Sequence, residues 1–127
     1  MEVIKILGQA NPKSTSEYLY IVPEGKGCVI SSLNILNMDI YDSIIDIQIG
    51  SIENIDNNTE ITYVEYGMLI YGKCSSQRLK GATLAAGDIV LVRTNTDLIS
   101  FSLFGSEFDQ NFSYTGDGGG GDYGYGY

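Results

Sequence analysis

The chain has no histidine and no tryptophan, two cysteines, two prolines, and seven basic residues against sixteen acidic ones. Each shortage removes a class of function. Without histidine, the side chain that titrates nearest neutral pH is missing, and with it the Ser-His and Cys-His nucleophile pairs. No catalytic residue stands out, and the chain is expected not to be an enzyme. Cys28 and Cys74 are too few and too far apart in sequence to define a disulfide framework or a zinc site, and they read as free thiols. A formal charge of −9 leaves no cluster of Lys and Arg for a phosphate backbone, so nucleic acid is not an expected partner. No apolar run approaches the roughly 20 residues a membrane helix needs, and no membrane partner is expected. The opening MEVIKILGQ carries no basic segment before an apolar core and reads as a strand rather than a signal peptide.

What the chain does have is short apolar runs separated by turn residues. At 127 residues it fits one domain, able to hide roughly two-thirds of its unfolded surface. Strand signals fall at residues 3–7, 18–22, 28–36, 45–49 and 61–71, with Gly, Asn, Asp, Ser and Pro between them. In the third strand Val29, Leu33 and Ile35 are expected on the core face and Ser32 and Asn34 on the other. Ile45, Ile47 and Ile49 alternate with Asp46 and Gln48, a strand with one buried face. Residues 50–60 have loop chemistry, with Ile52 and Ile55 available as anchors, and no amphipathic helix is expected.

Residues 83–107 organise this pattern. The turn Ala85-Ala86-Gly87-Asp88 leads into a strand over 89–94, a polar turn at 95–97, and a last strand over 98–104. Ile89-Val90-Leu91-Val92 is apolar on both faces and predicts a central strand. Ile99, Phe101 and Leu103 alternate with Ser100 and Ser102, predicting one buried face. The two strands are expected to form a hairpin. The whole predicts an all-β fold: a single antiparallel β-sandwich, jelly-roll-like, of eight or nine strands over residues 1–108.

Residues 109–127 are different. The segment GDGGGGDYGYGY has too much glycine to order by itself and predicts a flexible Gly/Tyr-rich C-terminal arm. Its aromatic and acidic residues Tyr114, Asp117, Asp122, Tyr123, Tyr125 and Tyr127 are the candidate partner-binding set, against the plainer reading of a solubilising terminus. The other tyrosines, among them Tyr18, Tyr20, Tyr63, Tyr66 and Tyr71, read first as cross-strand packing and second as a sugar-stacking or protein interface.

Other chemistry is weakly signalled. Asp46 with Glu65 could form a carboxylate pair, but both also suit solvated strand positions. Asp56, Asn57, Asn58 and Glu60 offer oxygen ligands without the spacing of an EF-hand loop, so an acidic surface loop is the plainer reading. No metal or cofactor is expected. Asn57-Asn58-Thr59 and Asn111-Phe112-Ser113 match the glycosylation pattern and read as chance.

The motifs Leu7-Gly8-Gln9, Leu19-Tyr20-Ile21-Val22-Pro23, Val29-Ile30-Ser31-Ser32-Leu33-Asn34-Ile35-Leu36-Asn37, Leu84-Ala85-Ala86-Gly87-Asp88 and Ser100-Phe101-Ser102-Leu103-Phe104-Gly105-Ser106-Glu107 carry a resemblance over about residues 3–107. Through them the chain resembles the small β-sandwich virion structural proteins of tailed bacteriophages. That resemblance implies a non-catalytic protein of the virus particle, assembled in the host cytoplasm. Capsid decoration comes ahead of a tail or fibre component that binds a carbohydrate receptor. It also implies other virion proteins as partners, a homo-oligomer, and a host surface glycan in the fibre case. The Gly/Tyr arm departs from the family pattern and inherits no role from it.

Overall fold

In the computed structural model, residues 3–57 and 62–110 are described. They form nine strands and one short helix: β1 Lys5–Ala10, β2 Ser16–Ile21, β3 Lys26–Asn37, β4 Ser43–Ser51, α1 Ile52–Asp56, β5 Tyr63–Ile70, β6 Ser75–Arg78, β7 Thr83–Leu84, β8 Asp88–Thr94 and β9 Ile99–Asp109. The first sheet has the order β1-β9-β3-β6, with β7 also on β3, and the second has the order β2-β8-β4-β5. Every pairing is antiparallel.

The pairings are nested. The first strand pairs with the last, β2 with β8, β3 with β6 and β7, and β4 with β5. The resulting two-stranded ribbon folds over so that β9 also meets β3 and β8 also meets β4. This is a jelly roll, two face-to-face sheets with the chain crossing between them.

The core lies between the sheets. Ile30, Leu33, Ile35, Phe101, Leu103 and Ile99 from the first sheet meet Ile45, Ile47, Val90 and Val92 from the second, all essentially inaccessible. β8 is central, as its two-faced apolar run predicts. However, β8 and β9 do not form the expected hairpin. Residues 95–98 arch from one sheet to the other, so each strand lays its apolar face on the shared core from opposite sides.

A second difference concerns β3. Val29 is only half-buried and Ile30 takes the core position instead. The register against β9 slips between Ile30 and Ser32, a β-bulge that inserts Ser31 and inverts the alternation on one side of it. Strict alternation read across a bulge assigns half of a strand to the wrong face.

The third difference is α1, which the loop chemistry of residues 50–60 did not predict. Ser51 caps it by accepting a hydrogen bond from the Asn54 N–H, and Ile55 is buried. Ile55 reaches the outer face of the second sheet, where Ile89 is also buried. The anchoring role expected of Ile55 is met; Ile52 stays half-exposed.

Polar contacts clasp both open sides of the sandwich. On one side Arg78 of β6 donates to Glu65 of β5 at 2.9 Å. On the other, Tyr20 of β2 donates to Glu107 of β9 at 2.5 Å while Lys5 of β1 lies 3.0 Å from the same carboxylate. β1 passes close to β2 here, and Gly8 permits it: a Cβ at Gly8 would run into the Leu19 carbonyl.

Candidate functional site

The connections sort to two ends. Residues 11–15, 38–42, 71–74 and 95–98 lie at one end, tied by hydrogen bonds from Ser14 N to Thr96 O, Met38 N to Leu98 O and Lys73 N to Asp39 O. Residues 22–25 and 85–88 lie at the other, where Val22 N donates to Asp88 O. The last described residue, Gln110, donates its N–H to Gly25 O at that same end. The described part of the chain therefore stops at the end opposite the first loop cluster.

That first cluster carries an apolar patch among exposed polar residues that include Lys13, Lys73 and Asp97. Ile40 is 67% exposed, Tyr41 70% and Tyr71 62%, with Met38 and Leu98 partly exposed beside them. Ile44 and Leu69, a directly opposed pair on β4 and β5, extend the patch onto the outer face of the second sheet. Single exposed apolar residues are ordinary, but a run of them across adjoining loops is what docking surfaces look like.

The backbone beneath the patch is held by polar side chains, Asn37 buried and Asn95 exposed. Asn37, at the end of β3, is wholly inaccessible. Its Nδ2 donates to Tyr41 O at 2.8 Å and to Ile70 O at 3.1 Å, and its Oδ1 accepts the Asp39 N–H at 2.9 Å. One amide thus fixes the 38–42 loop to the end of β5. Asn95 does the same between β8 and β4, its Oδ1 accepting from Ser43 Oγ at 2.6 Å and from Ile44 N at 3.2 Å.

The carboxylates nearby face inward to the turns. Asp39 accepts the Ile40 N–H at 2.7 Å, and Asp42 accepts the Gly72 N–H at 3.0 Å. Gly72 lies so close to the 38–42 loop that a Cβ would collide with the Ile40 carbonyl. Lys73 follows in the left-handed region at φ 59°, an uncommon conformation outside glycine that the Lys73 N to Asp39 O bond at 2.8 Å helps hold. The result is a preformed apolar tip on a hydrogen-bonded base, with Asp39, Asp42, Asp97, Lys13 and Lys73 in the same loops.

A second cluster is electrostatic. Hydrogen bonds from Tyr20 and then Lys5 hold the Glu107 carboxyl below its ordinary range. Burial, followed by the bond to Glu107, pushes the Tyr20 phenol well up, and burial also raises the adjacent Cys28 thiol. Its members come from four strands, β1, β2, β3 and β9, on one side of the sandwich and are used by the fold.

The residues singled out from sequence fare unevenly. Tyr114, Asp117, Asp122, Tyr123, Tyr125 and Tyr127 lie outside the described residues, as do Asn58 and Glu60. The strand tyrosines do not converge. Tyr20 is buried, Tyr18 donates to Asp56 at 2.9 Å, Tyr63 and Tyr66 meet edge to face at 4.9 Å, and Tyr71 is at the apolar end. Asp46 and Glu65 serve different partners: Asp46 accepts the Gly67 N–H at 2.7 Å and Glu65 pairs with Arg78. Cys28 is buried and Cys74 exposed, and both are free. Asn37 was missed as a functional residue. Its one signal is an amide at the end of a long strand just before a polar break.

The fold and this end define a jelly-roll β-sandwich with one preorganised apolar tip. No family model matches the chain, and no curated protein or solved structure matches it.

Proposed function

We propose that the chain is a non-enzymatic structural protein of a virus particle of the tailed-phage kind, a capsid decoration or accessory subunit that seats its apolar end on a neighbouring virion protein. The observation that carries this is the exposure of Ile40, Tyr41 and Tyr71 on loops locked by Asn37. An exposed apolar tip costs solubility unless a partner covers it, and a locked one loses little conformational entropy when covered. Aromatic anchors on a rigid base are the residues that dominate interface energies. The complementary partner surface is an apolar recess able to seat these aromatic and aliphatic side chains.

The resemblance in the strand and turn motifs supports placing that partner in a virion, assembled in the host cytoplasm. The jelly roll itself supports only a scaffold, because folds host many functions. In this reading the arm, with Tyr114, Asp117, Asp122, Tyr123, Tyr125 and Tyr127, follows Gln110 from the end away from the tip and provides a second contact, to another copy or a different virion protein. The test is retention on purified particles. Wild-type chain is expected to co-sediment with particles, and Ile40→Asp with Tyr71→Ser to remain in the supernatant while keeping its melting temperature. Equal retention of the variant would remove the apolar end from the proposal; absence of the wild-type chain from particles would remove the proposal.

A further inference from the structure

We infer that the outer face of the first sheet is a binding site for a neutral oligosaccharide. The registers place Gln9, Ser102, Asn34 and Gln77 in one row across β1, β9, β3 and β6. A second row runs Ser100, Leu36 and Ser75 across β9, β3 and β6. On the other side of the amide row, Ile6, Phe104 and Ser32 are in register across β1, β9 and β3. The alternate residues Leu33, Ile35, Phe101 and Leu103 are in the core, so all of these face outward.

None of these side chains is charged. A face that is merely solvated in so acidic a chain would be expected to carry some of its charge, since charged residues on exposed strands oppose edge association and maintain solubility. The outer side of the second sheet does so, with Asp46 and Arg93 opposed across β4 and β8 and with Glu53 and Asp56 on α1. The first sheet instead presents amides and hydroxyls around a shallow depression of about 310 Å³, lined by Asn34, Leu36, Ser75, Gln77, Ser102 and Phe104 among others.

These polar groups are largely unspent. Gln9 Nε2 donates to Ser102 Oγ at a long 3.3 Å, and Ser32 Oγ donates to Asn34 Oδ1 at 3.4 Å. Among the described residues, the Gln77 amide, the Asn34 Nδ2 and the Ser75 and Ser100 hydroxyls make no side-chain hydrogen bond to the protein. Side-chain amides offer a donor pair beside an acceptor, which matches vicinal sugar hydroxyls. Half-buried Phe104 and exposed Leu36 supply apolar surface for the C–H face of a pyranose. At ~4.8 Å between strands, the four-strand row spans about 14 Å, long enough for several sugar units lying across the strands. An anionic ligand would find no cation within these rows, Lys80 lying farther along the face beside Val29 and Ser31, and an apolar partner would leave the amides unpaired.

This site is separate from the apolar end, and either can fail without the other. The test is a ¹H–¹⁵N titration of the full chain with hexasaccharides of glucose, mannose, galactose and N-acetylglucosamine, with hexagalacturonate as the charged control. At least one neutral hexasaccharide is expected to shift the backbone resonances of Asn34, Gln77 and Ser102, with Kd on the order of 0.1–1 mM for so open a site. Gln77→Ala, on exposed β6, and the near-isosteric pair Asn34→Asp with Gln77→Glu are each expected to weaken binding at least tenfold with the melting temperature retained. Tyr66→Ala, on the other sheet, is expected to leave it unchanged. Absence of shifts with all four neutral sugars, shifts confined to the second sheet or the apolar end, or equal binding of hexagalacturonate would overturn the inference.

Discussion

Replacing Asn37 with Ala tests whether one buried amide organises the apolar end. The change strands three groups: the carbonyls of Ile70 and Tyr41, and the Asp39 N–H. The bond to Ile70 is buried, and leaving such an acceptor unpaired costs about 1–3 kcal/mol. The groups at Tyr41 and Asp39 are nearer solvent and can regain water, so each loses about 0.5–1 kcal/mol. The sum is roughly 3 kcal/mol, which for a domain of this size lowers the melting temperature by on the order of 10 °C. Asn37→Asp is expected to be no better at neutral pH, because it keeps the acceptor for Asp39 but exchanges two satisfied donors for a buried charge. The assay is thermal unfolding by calorimetry, paired with hydrogen exchange of the Asp39 amide, which should lose protection well before the core strands. A melting temperature within about 2 °C of wild type, with that amide still protected, would refute the assignment.

Three further outcomes are expected. Glu107 has its carboxyl held low by Tyr20 and Lys5, so the folded state binds this proton less readily than the unfolded chain. The contribution is present above the unfolded Glu value of about 4.3 and fades as pH falls through the lower folded value. Glu107→Gln should therefore flatten the acid limb of a stability-versus-pH curve measured by urea unfolding, and an unchanged slope would contradict the clasp. Tyr20 has the opposite sign: its raised phenol adds stability that is complete below about pH 10 and declines above it, a decline Tyr20→Phe should lack. Gly72→Ala forces a methyl against the Ile40 carbonyl and should cost about 1–3 kcal/mol, read as a lower urea midpoint; a neutral effect would mean the two loops are not held in contact.

Much of the fold was legible because alternation records a buried face directly. Ile45, Ile47, Ile99, Phe101 and Leu103 sit where a period of two puts them, and the apolar run of β8 is central. What alternation does not record is which sheet a strand joins. The run from β8 to β9 has strand, polar turn and strand in order, the same pattern a hairpin has, yet the turn arches between sheets. Nor does it survive an inserted residue, which is why Val29 and Ile30 exchanged roles at the Ser31 bulge. The apolar end was less legible still. Ile40, Tyr41, Tyr71 and Leu98 are scattered over three loops, and only the folded chain brings them together above Asn37. The uncharged rows on the outer face of the first sheet were hidden for the same reason, since Gln9, Asn34, Gln77 and Ser102 are neighbours only through the register.

The most direct test of the proposed role is the amount of this chain bound to gradient-purified virus particles from cells producing it, wild type beside Ile40→Asp with Tyr71→Ser. The docking account predicts wild-type chain in a fixed copy number per particle and the variant reduced at least tenfold, although equally folded by circular dichroism. Particles that carry both chains equally, or neither, would contradict it.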